Sequence, residues 1–419
     1  MQAVPVLTEL QTAVCAVALL LAPLAVAGLV MINAGFGRSR SAAHSLIASL
    51  CAFAAASLSF VIFGGWLASY AGGPAHSLQV GATAWRIAGA AGLFLRGIKF
   101  DGLMNSAALS TCFLLMGAGL AAMIAVGSGV ERWRLTPSIL SSALLAGITY
   151  PLLAHWVWSG GWLAQFGAID GGGAAVIQGT GGFTALGVTW LLGPRAGKYE
   201  AQGMAIPGHN MAMVIYGCAA TLAGFLGLNA AGAILFAQAP LSSLPLVAIN
   251  LLAASSASLL TALVVTRLRY AKPDASICAN GFVGGLVAAS AGCALVPVAA
   301  AVAIGFVSGL LLPFAVEWID RLGYDDPSGA IAVHGVCAVW GVLSVGLFAR
   351  GAHVLAQLAL VSALLGFVLP LTYLLNLLLG RVTPLRINKD GERLGMDLSE
   401  LGAGAYPELG QSMNDVHFR

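Results

Sequence analysis

The chain has 419 residues, of which 59% are hydrophobic and only 8% are charged. A soluble domain carries charge on about a quarter of its residues, so this composition and the mean hydropathy of +0.91 exclude a soluble globular protein and indicate a polytopic membrane protein. The formal net charge of +3 is too small to indicate a nucleic-acid partner.

Apolar runs of about 18 residues or more are typical of transmembrane helices, and the sequence contains eleven. They lie near 10–32, 44–71, 103–128, 136–158, 173–194, 209–235, 242–266, 276–292, 295–316, 328–349 and 354–380. The segment 78–98 is also apolar, but Arg86, Arg96, Lys99 and its glycines favour an ordered loop. We therefore predict an all-helical integral membrane protein with eleven spans.

The first span, 10–32, competes with a secretory signal peptide. A signal peptide places basic residues before an apolar core of about 7–15 residues. Here the apolar run is longer, Glu9 precedes it and the first basic residue is Arg38. We therefore expect this segment to be a membrane span.

The basic residues predict the orientation, because Lys and Arg concentrate in short cytoplasmic loops. With eleven spans, fifteen of the 19 basic residues fall on one side: Arg38, Arg40, Arg132, Arg134, Arg195, Lys198, Arg267, Arg269, Lys272, Arg321, Arg381, Arg386, Lys389, Arg393 and Arg419. The other side has Arg86, Arg96, Lys99 and Arg350. The amino terminus is therefore predicted outside and the carboxyl terminus in the cytoplasm, with the protein in the cytoplasmic (inner) membrane.

Small residues fill the spans. Most of the 54 glycines lie there beside Ala and Ser, which allows helices to pack closely in lipid. The seven cysteines are scattered singly without a CxxC motif, which favours apolar packing over a metal site or a disulfide framework. They are Cys15, Cys51, Cys112, Cys218, Cys278, Cys293 and Cys337.

An aromatic segment ends the fourth span and leads to an acid. Trp156 and Trp162 are typical of anchors at the membrane interface. Asp170 follows at the start of the fifth span, where a carboxylate can cap the amino terminus of a helix and interact with its dipole. We predict a structural role for Asp170.

Two stretches of the chain share one pattern. In the first, Asp170 precedes Gln178 by eight residues; in the second, Asp326 precedes His334 by eight. Gly-Ala stands between the two polar residues in both stretches, and a glycine follows Gln178 and His334 directly. The identical spacing predicts an internal repeat.

Because five spans separate the two copies, the halves lie in opposite orientations. We predict a membrane domain over 1–380 that contains inverted repeats at about 10–194 and 209–349 and an eleventh helix at 354–380, followed by a cytoplasmic tail over 381–419. Folds of this kind place their pathway near the midplane, between the repeats.

His334 and Gln178 occupy matched positions, about two turns into the tenth and the fifth helix. An ionisable residue within the membrane is functional by default, so we predict that His334 lines the pathway and that Gln178 faces it. A satisfied core histidine is the alternative.

Further motifs follow one another along the chain. They are Ala154-His-Trp-Val-Trp158-Ser-Gly-Gly-Trp162 before Asp170, Gly208-His209-Asn210, Gly227-Leu-Asn-Ala230, Lys272-Pro273, Leu322-Gly-Tyr-Asp-Asp326, Val333-His-Gly-Val-Cys337 with Trp340-Gly341, and Gly395-Met-Asp397 through Ala405-Tyr406. In these motifs the chain resembles the ammonium transporter/Rhesus channel family over 10–406. The resemblance implies eleven spans, a homotrimer with one pore in each subunit and uptake of ammonium; it implies no cofactor.

The family conducts past an outer recruitment site, a pair of phenylalanines that close the pore and two histidines in a hydrophobic passage. By this resemblance Trp158 is the recruitment tryptophan, Asp170 the structural acid and His334 the second histidine.

Other family positions differ in this chain. Gln178 replaces the first histidine and Gly232 the recruiting serine, while Gly117 and Leu228 occupy the two phenylalanine positions. These changes predict a pore with one histidine that is widened at the gate. Phe113, one helical turn before Gly117, is a candidate for the missing outer ring.

Simple energetics explain why these positions matter. Transferring a bare ammonium-sized cation into hydrocarbon costs on the order of 20 kcal/mol. Removing a proton from an amine of pKa about 10.4 at pH 7 costs only about 4.6 kcal/mol, at about 1.36 kcal/mol per pH unit. Two imidazoles can pass a proton because each donates and accepts; Gln178 does not titrate, so this relay would be interrupted.

Three functions therefore remain open: an ammonium channel with a modified pore, a paralogue that passes another small neutral or aminated solute, and a poorly conducting ammonium sensor or regulator. A membrane enzyme is not expected, because no nucleophile–base pair, metal-ligand cluster or phosphate loop is visible.

The tail resembles the family segment that couples subunits and admits a PII-type signalling protein. Asp397 and Tyr406 keep the family residues there, whereas Leu401 stands at the position of a family histidine. A sensor would be expected to carry an appended output domain, and the tail ends about forty residues after the last span. This favours transport.

Overall fold

A computed structural model of the protein describes residues 7–81, 83–100, 105–199 and 206–406. Within those ranges ten helices are long and apolar enough to cross a membrane, and Ala275–Ser290 is a shorter apolar helix. In chain order they are α1 Glu9–Phe36, α2 Ser39–Ala68, α3 Ser106–Ser128, α4 Leu135–Phe166, α5 Ala174–Leu192, α6 Met211–Leu235, α7 Leu241–Tyr270, α8 Ala275–Ser290, α9 Val298–Arg321, α10 Ile331–Phe348 and α11 Val354–Val382. The all-helical, eleven-span prediction is confirmed.

The segment 78–98 is not a helix. Strand β1 (Ala75–Val80) pairs antiparallel with β2 (Thr83–Gly89). The indole of Trp85 in this hairpin stacks on that of Trp162, with ring centroids 5.7 Å apart. The prediction of an ordered loop instead of a twelfth span is therefore confirmed.

Glycines allow helices to approach at backbone contact. A Cβ added to Gly28 of α1 would lie 2.6 Å from the carbonyl oxygen of Gly217 in α6. A Cβ added to Gly305 of α9 would lie 2.1 Å from the carbonyl oxygen of Ala254 in α7. Such contacts leave no space for a side chain, so the bundle is held by close packing of small residues.

The chain after α11 folds back on one end of the bundle. Its backbone pairs with the α3–α4 loop, since Arg134 N–H donates to the Leu385 carbonyl at 3.0 Å and Ile387 N–H donates to the Arg132 carbonyl at 3.0 Å. The short helix α12 (Lys389–Leu394) follows. Of the predicted tail, residues 407–419 lie outside the described residues.

Candidate functional site

The two repeated stretches have the same local structure. Gly173 and Gly329 adopt left-handed backbone conformations, with φ of 92° and 73°. Directly after them α5 begins with the π-helical turn Ala174–Gly179, and α10 begins with the π-helical turn Ile331–Val336. π-Helical turns are rare and frequently accompany functional sites.

A carboxylate caps each of these turns. Asp170 accepts hydrogen bonds from four consecutive backbone N–H groups, those of residues 173–176, at 2.8–3.0 Å. Asp326 accepts them from residues 330 and 331, at 3.0 and 2.7 Å. Both carboxylates satisfy helix N–H groups that would otherwise lack partners. Asp170 therefore has the geometry of the structural acid.

The capped turns bring Gln178 and His334 into contact inside the bundle. The Nδ1 atom of His334 lies 2.7 Å from Oε1 of Gln178, and both side chains are buried. In this arrangement Nδ1–H donates to the amide oxygen, which leaves Nε2 of the neutral imidazole as an acceptor. The pair thus fixes one tautomer and one orientation of the ring.

Gly182 makes this contact possible by letting α5 approach α10. A Cβ added to Gly182 would lie 2.3 Å from the backbone nitrogen of Gly335 and 2.4 Å from the carbonyl carbon of His334. Both atoms belong to the backbone of the π-helical turn, so no side-chain rotation could relieve the clash. The position of His334 therefore depends on the absence of a side chain at residue 182.

A cavity of about 390 Å³ opens at the end of the bundle where Asp170 lies. Trp158 and Asp170 are among the residues that line it. The indole Nε1–H of Trp158 donates to the Asp170 carbonyl at 2.6 Å, which fixes the plane of the ring. Trp158, the predicted recruitment tryptophan, thus borders this cavity.

Three aromatic rings lie beside this cavity, and we call Phe113, Trp158 and Phe236 the aromatic trio. Trp158 stacks on Phe236 with centroids 4.5 Å apart, and Phe113 contacts both rings edge-on at 5.3 and 5.1 Å. Phe113 and Trp158 were predicted from the sequence, whereas Phe236 was not. The sequence signal for Phe236 was its position one helical turn after Gly232.

Another side chain lies directly against Gly117, one of the predicted gate positions. A Cβ added to Gly117 would lie 2.3 Å from the hydroxyl oxygen of Tyr150 and 3.0 Å from two atoms of Ile177. Tyr150 is fully buried. A tyrosine from α4 therefore occupies the space that a side chain at residue 117 would need.

Gly232, the position predicted to replace the recruiting serine, likewise lies in close contact with a neighbouring segment. A Cβ added there would lie 2.2 Å from the carbonyl oxygen of Gly171, in the loop that leads from Asp170 to α5. Gly232 therefore allows α6 to pack closely against this loop. Leu228, one turn earlier on α6, is buried.

A second, smaller cavity of about 10 Å³ lies beside His334, on the side towards Ser328. Asn33, Asn280 and Ser328 line it together with His334. This volume suits about one water-sized molecule, and the lining amides and hydroxyl can hydrogen-bond such a molecule. These polar residues were missed, because single asparagines in apolar spans resemble packing residues.

At the tail end, the two predicted tail residues contact the bundle. Asp397 is buried and accepts hydrogen bonds from the backbone N–H groups of Ala43 and His44, at 3.1 and 2.7 Å, at the start of α2. The hydroxyl oxygen of Tyr406 lies 3.0 Å from Nε2 of His209. The tail is therefore docked against two helix ends.

A buried charge cluster lies at the same end. Arg195 donates to both oxygens of Asp325, at 2.8 and 2.9 Å, and to Glu131 at 2.6 Å. Burial raises the pKa of the Asp325 carboxyl. Hydrogen bonds from Arg195 and the charges of Arg132 and Arg195 lower this pKa by more than burial raises it, and the result is about 2. The cluster joins the ends of α3 and α5 to the α9–α10 loop.

In the part of the chain that the structure describes, no three potential metal ligands lie together. The polar groups around the two cavities and the buried pair are instead an indole, amides, an imidazole and single hydroxyls. Such a set can bind and orient a small hydrogen-bonding solute, and the imidazole of His334 can both donate and accept a hydrogen bond.

The sequence matches the model of the Ammonium Transporter Family over residues 12–406. It is similar to ammonium transporter Amt2 of Archaeoglobus fulgidus, at 34% identity over 91% of this chain and 85% of that protein, and to an ammonium transporter of Bacillus subtilis, at 29% identity over 91% and 94%. Among solved structures, a sensor Amt protein superposes with a TM-score of 0.84 at 27% identity, covering 93% of this chain and 98% of that chain. Candida albicans Mep2 shares the fold, with a TM-score of 0.80 at 23% identity over 95% and 90%.

Proposed function

Because the chain belongs to the ammonium transporter family, we propose that it conducts ammonium nitrogen across the membrane past the buried pair Gln178 and His334. The path runs from the outer cavity beside Trp158 to the small cavity beside Asn280. The protein is a multi-pass membrane protein of a transporter family and not an enzyme.

The hydrogen bond of 2.7 Å between His334 and Gln178 carries this proposal. It joins matched positions of two capped π-helical turns inside the bundle. A bare cation would meet a desolvation cost on the order of 20 kcal/mol there, whereas loss of a proton at pH 7 costs about 4.6 kcal/mol. Nitrogen therefore crosses as ammonia, with the proton released before the apolar passage.

Gln178 gives the passage its particular character. Its amide orients His334 as a second imidazole would, but it has no proton to exchange near neutral pH. Hydrogen bonding is thus continuous across the pair while proton hopping is not. We expect ammonium-driven current to be small relative to that of a two-histidine pore.

At the outer entrance, Trp158 is the proposed recruitment residue, and Phe113 replaces the missing outer phenylalanine. The contact of Phe113 with Trp158, at 5.3 Å between centroids, supports this assignment. Leu228 stands as the proposed inner gate position. Because Gly117 and Gly232 are closed by Tyr150 and by the Gly171 backbone, a wide pore for larger solutes is not part of the proposal.

A sensor that hardly conducts is the second candidate. The similarity to a sensor Amt protein, at a TM-score of 0.84 and 27% identity over nearly the whole chain, favours it, as does the interrupted relay at Gln178. Such a protein would bind ammonium at the outer cavity and report occupancy through the docked tail. Passage of another small solute is the third candidate, which the liposome experiment distinguishes from the other two.

We also propose the membrane setting. The charge cluster around Arg195 and the docked tail lie at one end of the bundle, which we assign to the cytoplasm because basic residues concentrate there. Both termini are assigned accordingly, with the amino terminus outside. A homotrimer in the cytoplasmic membrane and a PII-type partner at the tail complete the proposal.

Purified protein in liposomes on a solid-supported membrane tests the function. Pulses of ammonium, methylammonium and potassium are applied in turn, with protein-free liposomes as the blank. Ammonium-dependent current, or a rise in luminal pH as ammonia enters and takes up a proton there, supports conduction when it is absent with potassium and in the blank. Absence of both signals with retained ammonium binding points to the sensor, and uptake of a larger solute in place of ammonium contradicts the proposal.

A further inference from the structure

Phe236 follows α6 directly, and its ring lies flat against Trp158. The ring centroids are 4.5 Å apart and the ring planes differ by 11°. Phe113 meets Phe236 at 5.1 Å and 76°, so each ring of the aromatic trio contacts the other two. Phe236 and Trp158 also line the outer cavity together.

The stacked ring occupies the surface on which a cation would bind. An indole attracts a cation placed over its face within about 6 Å of the ring centroid. On one face of Trp158 that space is taken by Phe236 at 4.5 Å. A cation can therefore reach this face only if Phe236 moves away, so the cation and the phenyl ring compete for one site.

Phe236 is the least constrained ring of the aromatic trio. Phe113 is fully buried within α3, and Trp158 is 5% exposed with its Nε1–H bound to the Asp170 carbonyl. Phe236 is half-buried at the end of its helix, and two residues later Gln238 is exposed with a φ of 49°. Non-glycine residues in this left-handed region store strain and are common at segments that move.

We propose that Phe236 is the gate of the outer cavity and the residue that selects amines by size. This rests on the proposed function, because ammonium is the cation that displaces the ring. When Phe236 leaves Trp158, the cation takes its place on the indole; when Phe236 returns, the cavity is closed behind the solute. Larger amines require a larger displacement and are held back.

Removing the ring tests the gate. We expect Phe236→Ala to strengthen ammonium binding by about twofold to tenfold, the factor that one aromatic pair contributes. The ratio of methylammonium to ammonium current should rise by a similar factor. Phe236→Leu keeps most of the side-chain volume but removes the stacking, so its ammonium affinity and current ratio should lie between those of wild type and Phe236→Ala. This variant replaces Phe236→Ala if the alanine variant folds poorly. The matched control is Phe166→Ala, which removes an exposed ring at the last residue of α4. This variant should change neither the ammonium affinity nor the current ratio.

A second measurement detects displacement of Phe236 through the resonance of Trp158. The protein is labelled with 5-fluorotryptophan in lipid nanodiscs, and Trp158→Phe assigns the Trp158 resonance. Phe236→Ala should shift that resonance, because the ring current of the stacked phenyl is lost. Ammonium should shift the wild-type resonance in the same direction, and sodium should not.

The two measurements separate the gate from conduction. A Trp158 resonance that ammonium leaves in place while ammonium current is recorded overturns the gate and leaves conduction intact. A resonance that moves while ammonium causes neither current nor a rise in luminal pH supports the gate and removes conduction. Equal ammonium affinity in wild type, Phe236→Ala and Phe236→Leu also overturns the gate.

Discussion

The imidazole of His334 is hydrogen-bonded to the Gln178 amide. In a pair of imidazoles each ring both orients the other and can exchange a proton, whereas in this pair the two roles are separate. Orientation comes from the hydrogen bond to Gln178, whereas exchange of a proton is possible only at His334. His155 offers a contrast within the same bundle. Its Nδ1 lies 2.9 Å from the Ala68 carbonyl and it does not contact the pathway pair, so we interpret it as a core histidine.

The comparison of these two histidines gives the first prediction. His334→Ala should lower ammonium current about twofold to tenfold, since a hydrogen bond between neutral groups contributes about 0.5–1.5 kcal/mol. The melting temperature in detergent should change little, because the pathway can admit water. His155→Ala should instead lower the melting temperature. A large loss of stability in His334→Ala with unchanged current would make His334 a core residue.

Gln178 is the site of the second prediction. Gln178→His restores a second imidazole beside His334, so ammonium-driven current should rise. The current should also become more sensitive to pH between about 5 and 8, the range in which imidazole titrates. Currents are recorded from proteoliposomes at several pH values, with Gln178→Leu as the control that removes the hydrogen bond. Unchanged current and pH dependence in Gln178→His would contradict the matched-pair interpretation.

At the scale of the elements, features that follow from a local pattern along the chain could be predicted. Apolar runs predicted the spans, and the repeated spacing led to Gln178 and His334, which the structure brings to 2.7 Å. The partners across helices were not predictable in this way. Tyr150 fills the space beside Gly117, and Phe236 stacks on Trp158, because packing between distant segments sets these contacts.

The close approach of α5 and α10 gives the third prediction. Gly182→Ala should lower stability by roughly 1–3 kcal/mol and reduce current, because the added methyl clashes with the backbone at His334 and Gly335. Gly366→Ala is the matched control, since no atom lies within 4 Å of a Cβ added there. Melting temperature and current are measured for both. Equal behaviour of the two variants would show that the π-helical turn tolerates displacement.

For the whole molecule, two buried carboxylates and one half-buried carboxylate hold the end that carries the tail. Glu392 accepts a hydrogen bond from the Ala196 N–H at 2.6 Å, Asp397 caps α2, and Glu400 accepts from the Leu135 N–H at 2.9 Å. The tail thus satisfies backbone groups of three separate segments. A conformational change in the tail would alter these contacts at the helix ends, which supports the signalling partner proposed at the tail.

The buried cluster beneath the tail gives the last prediction. Asp325→Asn should lower the free energy of unfolding by about 3–5 kcal/mol, because Arg195 is left buried without its full charge partner. The folded-state pKa of Asp325, about 2, lies below the ordinary value of 3.8. Its stabilising contribution is therefore complete above that ordinary value and is lost as the pH falls through the folded-state pKa.

The difference in melting temperature between wild type and Asp325→Asn should consequently be constant from neutral pH down to about 4 and shrink below it. Asp320→Asn is the control, because Asp320 is 48% exposed in its ion pair with Lys198, and an exposed pair contributes only about 0–1 kcal/mol. Thermal unfolding in detergent across this pH range measures both variants. If Asp320→Asn destabilises as much as Asp325→Asn, or if the Asp325→Asn difference varies with pH above about 5, the cluster does not hold these helix ends together through the charge of Asp325.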